Sequence, residues 1–125
     1  MTSIGIVGAG VAGLHLGLHL RQQDLDVTIY TNRTAEQVAE GRVMNSVAHM
    51  SATIEIEHEL GIGDWPGTDA EYSYHHHYNG WGDERRFSGV FEKPARIIDY
   101  RIYLPALMAE FESRGGDLVI RDLSV

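Results

Sequence analysis

Gly8-Ala9-Gly10-Val11-Ala12-Gly13 is the stretch whose residue types and spacing point most directly to chemistry. In a Gly8-x-Gly10-x-x-Gly13 turn the first glycine permits a tight reversal out of a strand. The second lets backbone approach a pyrophosphate, and the third lets a helix pack closely on a sheet. Phosphates held there face a helix N-terminus, whose unpaired N–H groups and positive dipole end favour an anion. The expected chemistry is binding of a dinucleotide, FAD or NAD(P), through Gly8, Gly10, Val11, Ala12 and Gly13. A glycine-rich turn with no ligand is the bland alternative. The context argues against it, because an apolar strand precedes the turn, a leucine-rich helix follows, and a second strand comes at the right interval.

Such a fold normally carries an acidic residue for the ribose hydroxyls roughly 20 residues past the turn. Here that place reads Thr31-Asn32-Arg33, and the nearest acids are Asp26 and Glu36. A hydrogen bond to a carboxylate contributes about 1.5–3 kcal/mol against about 1 kcal/mol for a neutral one, so its loss weakens binding by about tenfold. A loosely held cofactor is expected, contacted by Thr31, Asn32 and Arg33. Arg33 also keeps a rival open, since an arginine in this place is how such folds accept the 2′-phosphate of NADP.

Other clusters carry weaker signals. His75-His76-His77 invites a metal reading, but three consecutive strand residues alternate between faces and cannot all meet one ion, so no metal is expected. His15 and His19 lie one helical turn apart with no third ligand placed near them, and read as a polar helix flank. Trp65, Trp81 and the tyrosines between them read as aromatic packing ahead of a substrate pocket. Asp99 and Arg101 suit either a helix cap or a cofactor contact. No Ser-His-Asp set or poised carboxylate pair stands out. The sequence has no cysteine, so any redox chemistry must come from a bound cofactor.

The elements that position these residues can be read from periodicity. Ile4-Gly5-Ile6-Val7 is a strand, Leu14 and Leu18 open a helical pattern that fades at Arg21-Gln22-Gln23-Asp24, and Val27-Thr28-Ile29-Tyr30 is a second strand. Thr31 to Gly41 is polar without period and reads as a surface connection. Met50 to Leu60 fits strand and helix alike; its length, Ser51 as a potential N-cap and Gly61 at its end favour helix. Tyr72 to Tyr78 and Arg86 to Phe91 read as strands joined through Asn79-Gly80, an antiparallel hairpin inserted into a parallel sheet. Tyr100, Tyr103, Leu104, Leu107, Met108 and Phe111 mark the clearest helix, with Asp99 before it, Gly115-Gly116 after it and Pro105 expected in its first turn. Leu118-Val119-Ile120 restarts a strand. The fold class is α/β, a Rossmann-type domain with a parallel sheet and an antiparallel insertion, in one domain spanning 1–125.

Eighteen acidic residues against ten basic ones give a net charge of −8. Basic residues never form a run, so nucleic acid is not an expected partner. Apolar stretches fall far short of the roughly 20 residues that cross a bilayer, and no signal peptide precedes the first strand, so a cytoplasmic protein away from membranes is expected.

Beyond the turn, several segments resemble one family in order and spacing. They are Ser3-Ile4-Gly5-Ile6-Val7-Gly8, Ala12-Gly13-Leu14-His15-Leu16-Gly17-Leu18, Val27-Thr28-Ile29-Tyr30-Thr31, Gly41-Arg42 through Asn45-Ser46-Val47-Ala48-His49, Trp65-Pro66, Pro94-Ala95-Arg96 and Asp99-Tyr100-Arg101-Ile102-Tyr103. Together they look like the flavin-dependent oxygenase component of styrene monooxygenases, with indole monooxygenases not separable from it. The resemblance implies reduced FAD supplied by a separate flavin reductase, and O2 used to epoxidise styrene or a related vinyl-arene, or to oxygenate indole. The flavin would carry the chemistry, with no catalytic side chain assigned. Arg42 is similar to the family's arginine near the FAD phosphates, and Asn45, Val47, His49, Tyr72 and His75 resemble its residues around the flavin ring. Tyr72 and His75 would reach one ring only if a bulge or bend lay between them. Ala95 departs from the family, which often has serine there. The partners implied are the reductase, a small aromatic substrate and, as an open option, a second copy of the chain. The chain matches about the first third of the family, so the substrate domain and a second FAD-contacting segment are expected to lie outside it. An NADP-dependent reductase and a truncated, non-enzymatic nucleotide-binding remnant are the alternatives.

Overall fold

The computed structural model describes residues 2–41, 46–62, 68–78 and 85–123; for 46, 68–78 and 85–94 it describes the backbone alone. The chain opens with β1 (Ser3–Val7), α1 (Val11–Gln22) and β2 (Asp26–Thr31). β1 and β2 pair in parallel, from Ser3↔Asp26 to Val7↔Tyr30. The opposite edge of β2 pairs in parallel with β6 (Asp117–Ile120), from Thr28↔Asp117 to Thr31↔Ile120. β2 is thus the central strand, and its alternation sends Val27 and Ile29 into the core.

Between β2 and β6 lie α2 (Ala35–Ala39), β3 (Ser46–His49), α3 (Ser51–Glu59), β4 (Thr68–Tyr78), β5 (Arg85–Asp99) and α4 (Tyr100–Ser113). β3, β5 and β4 form a second, antiparallel sheet with β5 in the middle. The expected hairpin insertion is therefore a separate three-stranded sheet that also recruits β3. Its strands outrun the Tyr72–Tyr78 and Arg86–Phe91 segments expected, because pairing on both sides of β5 supports backbone that side-chain pattern alone does not mark. The connection through Asn79-Gly80 lies outside the described residues.

Three local expectations are corrected. The stretch read as a surface connection holds α2, because Thr34 and Gln37 form a reciprocal capping box that starts a helix without apolar periodicity. α3 is capped at Met50, with Ser51 already its first helical residue and no side-chain cap. Pro105 lies in the second turn of α4, since Asp99 caps the helix and fixes Tyr100 as its first residue. Gly61 ends α3 with φ of 75°, as its position suggested.

α1 and α4 pack on each other and against the parallel sheet. Leu14, Leu18, Ile29, Tyr103, Leu107, Met108 and Phe111 form the core, joined by Leu60, Ile62 and Ile98 from the second unit, which is the antiparallel sheet together with α3 and the residues that end it. Gly17 makes the junction close: a Cβ there would stand 2.9 Å from Ile29 Cδ1 and 3.0 Å from Phe111 Cε2. Phe111 therefore locks α4 onto α1. Phe111→Ala is expected to lower unfolding free energy by about 3–5 kcal/mol in urea titration; a loss below about 1 kcal/mol would contradict this packing.

Candidate functional site

β1 ends at Gly8, whose φ of 104° is open to glycine and strained for other residues. Its N–H donates to the Tyr30 carbonyl at 2.7 Å, which holds the turn onto β2. Gly10 is the N-cap of α1, its carbonyl accepts from Leu14 N–H at 3.0 Å, and no side chain caps the helix. The first-turn N–H groups have no partner within an α-helix and no acidic residue beside them. A Cβ on Gly13 would lie 2.1 Å from the Gly8 carbonyl oxygen, whereas a Cβ on Gly10 would meet nothing within 4 Å. The turn is therefore crowded on its packing side and open in front of the helix N-terminus.

That opening is a cleft of about 690 Å³ lined by Gly8, Ala9, Gly10, Thr31, Asn32, Arg33, Gln37, Val38, Gly41, Tyr100, Arg101 and Leu104. It brings together Gly8, Gly10, Thr31, Asn32, Arg33 and Arg101 of the expected set. Val11, Ala12 and Gly13 follow directly as the first turn of α1. Gln37, Val38, Tyr100 and Leu104 are additions that sequence reasoning missed; the capping box of α2 was the signal for the first two. Asp26 stands away from the cleft with its side chain more than half exposed, 4.0 Å from Arg21.

Of the two roles that its sequence position left open, Asp99 takes the helix cap, and it also holds Arg101. Its carboxylate accepts from the Arg101 backbone N–H at 2.9 Å, capping α4, and pairs with the Arg101 guanidinium at 2.7–3.2 Å. Hydrogen bonds from the Arg101 side chain hold the Asp99 carboxyl below its ordinary range.

Behind the cleft lies a polar network absent from the sequence reading. His49 on β3 is buried, with Nδ1 bonded to the buried Glu57 carboxylate of α3 and Nε2 2.7 Å from the Tyr100 hydroxyl. Glu57 also accepts from the Tyr103 hydroxyl, which lies 3.0 Å from His15 Nε2. Burial raises the Tyr100 and Tyr103 hydroxyl pKa values, and the Glu57 charge pushes them further up. His49 thus touches the cleft through Tyr100, and His15 is a network member, more than a polar flank. The apolar faces of α1 and α4 hid these polar contacts from a one-dimensional pattern.

Val47 is partly exposed on β3, opposite Ile98. Tyr72 pairs with the buried Ala95, and His75 with Gly89. A register irregularity falls between Tyr72 and Tyr74, so the break that the Tyr72–His75 pairing required is present in the backbone. Arg42, Asn45, Trp65 and Trp81 lie outside the described residues.

No protein-family model matches the chain. A styrene monooxygenase StyA of Pseudomonas fluorescens is 46% identical over 121 residues, covering 97% of this chain and 29% of the relative. A second StyA, from a Pseudomonas species, is 48% identical over 113 residues, covering 90% of this chain and 27% of that protein. The chain therefore spans under a third of the length of the relatives it matches. Among solved structures, 2-methyl-3-hydroxypyridine-5-carboxylic acid oxygenase aligns with a TM-score of 0.70 at 21% identity, over 96% of this chain and 32% of that one. Aklavinone-11 hydroxylase, solved with FAD and aklavinone, aligns with a TM-score of 0.63 at 16% identity, over 93% of this chain and 24% of that one. The fold is that of the FAD-dependent monooxygenases. Among the described residues, no helix is long and apolar enough to cross a membrane.

Two groups in the site make acid unfavourable. Burial holds the His15 imidazole below its ordinary value of 6.5, so the stability it contributes is present above that value and lost as pH falls. Asp99 behaves alike below its ordinary 3.8. Melting temperature is expected to fall in two stages from about pH 7 to pH 3, and His15→Gln to flatten the first stage alone. An unaltered first stage in that variant would contradict the placement of His15.

Proposed function

We propose, for a chain whose sequence corresponds to the N-terminal portion of the styrene monooxygenases, that it builds the dinucleotide half of an FAD site in an oxygenase. That oxygenase takes reduced FAD from a separate flavin reductase and uses O2 to epoxidise styrene or a related vinyl-arene, or to oxygenate indole. One observation carries this reading: in a relative of those enzymes, an uncapped helix N-terminus at Gly10 opens onto a cleft, with free space where a side chain would stand. The residues suit the group. A pyrophosphate needs N–H donors, a positive dipole end and close backbone approach, and the turn offers all three.

FAD, when bound and reduced, supplies the reactivity toward O2. The chain binds and orients. Gly8, Gly10, Val11, Ala12 and Gly13 hold the pyrophosphate, while Thr31, Asn32 and Arg33 meet the ribose without a carboxylate. A grip weaker by about tenfold suits a cofactor that must arrive from one protein and leave again. Arg101, held by Asp99, faces the cleft as a fixed cation. Arg42, Asn45, Val47, His49, Tyr72 and His75 are assigned to the flavin end on their likeness to the family. The relatives support this reading over an NADP-dependent reductase using Arg33 and over a non-enzymatic remnant.

Gly10→Ser separates binding from folding. Serine is a preferred N-cap, so the variant should melt at or slightly above the wild-type temperature, while its side chain fills the pyrophosphate space and competes for the same N–H groups. FAD affinity should fall by about tenfold or more, some 1.4 kcal/mol. Gly13→Ala should lower both stability and affinity, since its Cβ collides with Gly8. Unchanged FAD affinity in Gly10→Ser would defeat the assignment. For the activity, reductase, NADH, FAD and styrene should yield styrene oxide when the chain is joined to the remaining length of its relative; absence of epoxide would count against an oxygenase.

A further inference from the structure

Where the end of β2 borders the cleft, the lining is rich in hydrogen-bond donors. Gln37 of α2 stands there with Thr31, Asn32 and Arg33, and the capping box fixes which way its amide faces. The Thr34 backbone N–H donates to Gln37 Oε1 at 2.9 Å, and the Gln37 backbone N–H donates to Thr34 Oγ1 at 3.2 Å. A backbone N–H can only donate, so the amide oxygen must face Thr34, and the amide nitrogen with its two N–H groups is left for the cleft. Among the described residues, nothing accepts a bond from that nitrogen. Ala35 and Val38 pack against the core and α2 packs on α4, so the exposed amide stands on a fixed support. Arg33 adds a guanidinium that only donates, and Thr31 Oγ1 already accepts from the Arg33 backbone N–H at 3.4 Å. None of the described residues that line the cleft is a carboxylate.

We propose that Gln37 is a specificity-determining residue of the cleft: with Arg33 it forms a donor-rich subsite for the adenosine ribose that admits a phosphate on that ribose. This rests on the reading of the cleft as an FAD site, with the pyrophosphate at the glycine turn and the ribose at the end of β2. The carboxylate usual at this place accepts from the ribose hydroxyls and repels a 2′-phosphate, whereas a cation accommodates one. Here an amide and a guanidinium meet the ribose oxygens as acceptors. A hydroxyl oxygen can accept from them, and a phosphate offers more acceptor oxygens together with negative charge. Asn32 can serve in either sense. Glu36, the acid in the first turn of α2, is not among the residues that line the cleft. The subsite governs which nucleotides enter and adds no reaction of its own.

The test is calorimetric titration of the full chain with oxidised FAD, followed by displacement with ADP-ribose and with 2′-phospho-ADP-ribose, which share the pyrophosphate and differ only in the ribose phosphate. Wild type should bind the phosphorylated probe at least as tightly as the plain one. Gln37→Glu keeps the capping box, where glutamate serves as well as glutamine, so its melting temperature should match wild type. It replaces two donors with a charged acceptor. Unphosphorylated ribose hydroxyls can donate to the new carboxylate, so FAD and ADP-ribose should bind as well as before or up to about tenfold more tightly, while the affinity of 2′-phospho-ADP-ribose relative to ADP-ribose should fall by about tenfold or more. A purely structural role for Gln37, or a general effect of the added charge on the pyrophosphate, would move both probes alike. Weaker binding of the phosphorylated probe to wild type, an unchanged ratio of the two probes in Gln37→Glu, or failure of both probes to displace FAD at millimolar concentration would overturn the proposal while leaving the FAD site standing. No FAD binding by wild type would defeat both.

Discussion

The close approach of α1 to the end of β1 governs the rest of the arrangement. Gly13 sits where any Cβ would lie 2.1 Å from the Gly8 carbonyl oxygen, and Gly8 takes a φ of 104° to reach that place. A bulkier residue at either position would push the helix away from the strand. The first-turn N–H groups would then no longer point at the mouth of the parallel sheet. Everything that lines the cleft is placed relative to this contact. β2 delivers Thr31, Asn32 and Arg33 beside it because Gly8 N–H binds the Tyr30 carbonyl, and α4 delivers Tyr100 and Arg101 because Phe111 locks that helix onto Gly17.

The second unit has a different logic. Its sheet is antiparallel, and it meets the first unit through α4, whose N-terminus carries Asp99, Tyr100 and Arg101. The outward face of that helix start supplies the cleft, and the inward face supplies Tyr103 to a buried set of polar groups with His15, His49 and Glu57. A buried carboxylate without partners would be strongly unfavourable. Glu57 has two, so the polar core is tolerated and specifies how β3, α3 and α4 fit together. The same bonds tie the cleft-lining Tyr100 to the interior.

Much of this was legible before the structure. The strand, glycine turn, helix and second strand follow from residue spacing, as do the buried face of α4 and the return of the chain to the parallel sheet at Leu118. The missing carboxylate at Thr31-Asn32-Arg33 was visible too, and Asp26 proved to stand apart from the cleft. What was not legible depended on contacts between distant residues. β3 joins β5 by backbone pairing that leaves little side-chain pattern. α2 rests on a two-residue capping box, and Pro105 occupies a second turn because Asp99 sets the helix start. Glu57 reads as one more surface acid in Glu55, Glu57 and Glu59, and only packing against His49 and Tyr103 makes it a core residue.

The central claim is that the N-terminus of α1 faces a bound pyrophosphate. Backbone amide chemical shifts recorded by NMR while FAD is added to the chain test it most directly, because each N–H reports its own surroundings. The account predicts that Gly8, Gly10, Val11, Ala12 and Gly13 shift most, followed by Asn32, Arg33 and Arg101. Largest shifts at the opposite end of the helices, around Gln22 and Arg114, with the glycine turn unmoved, would contradict it.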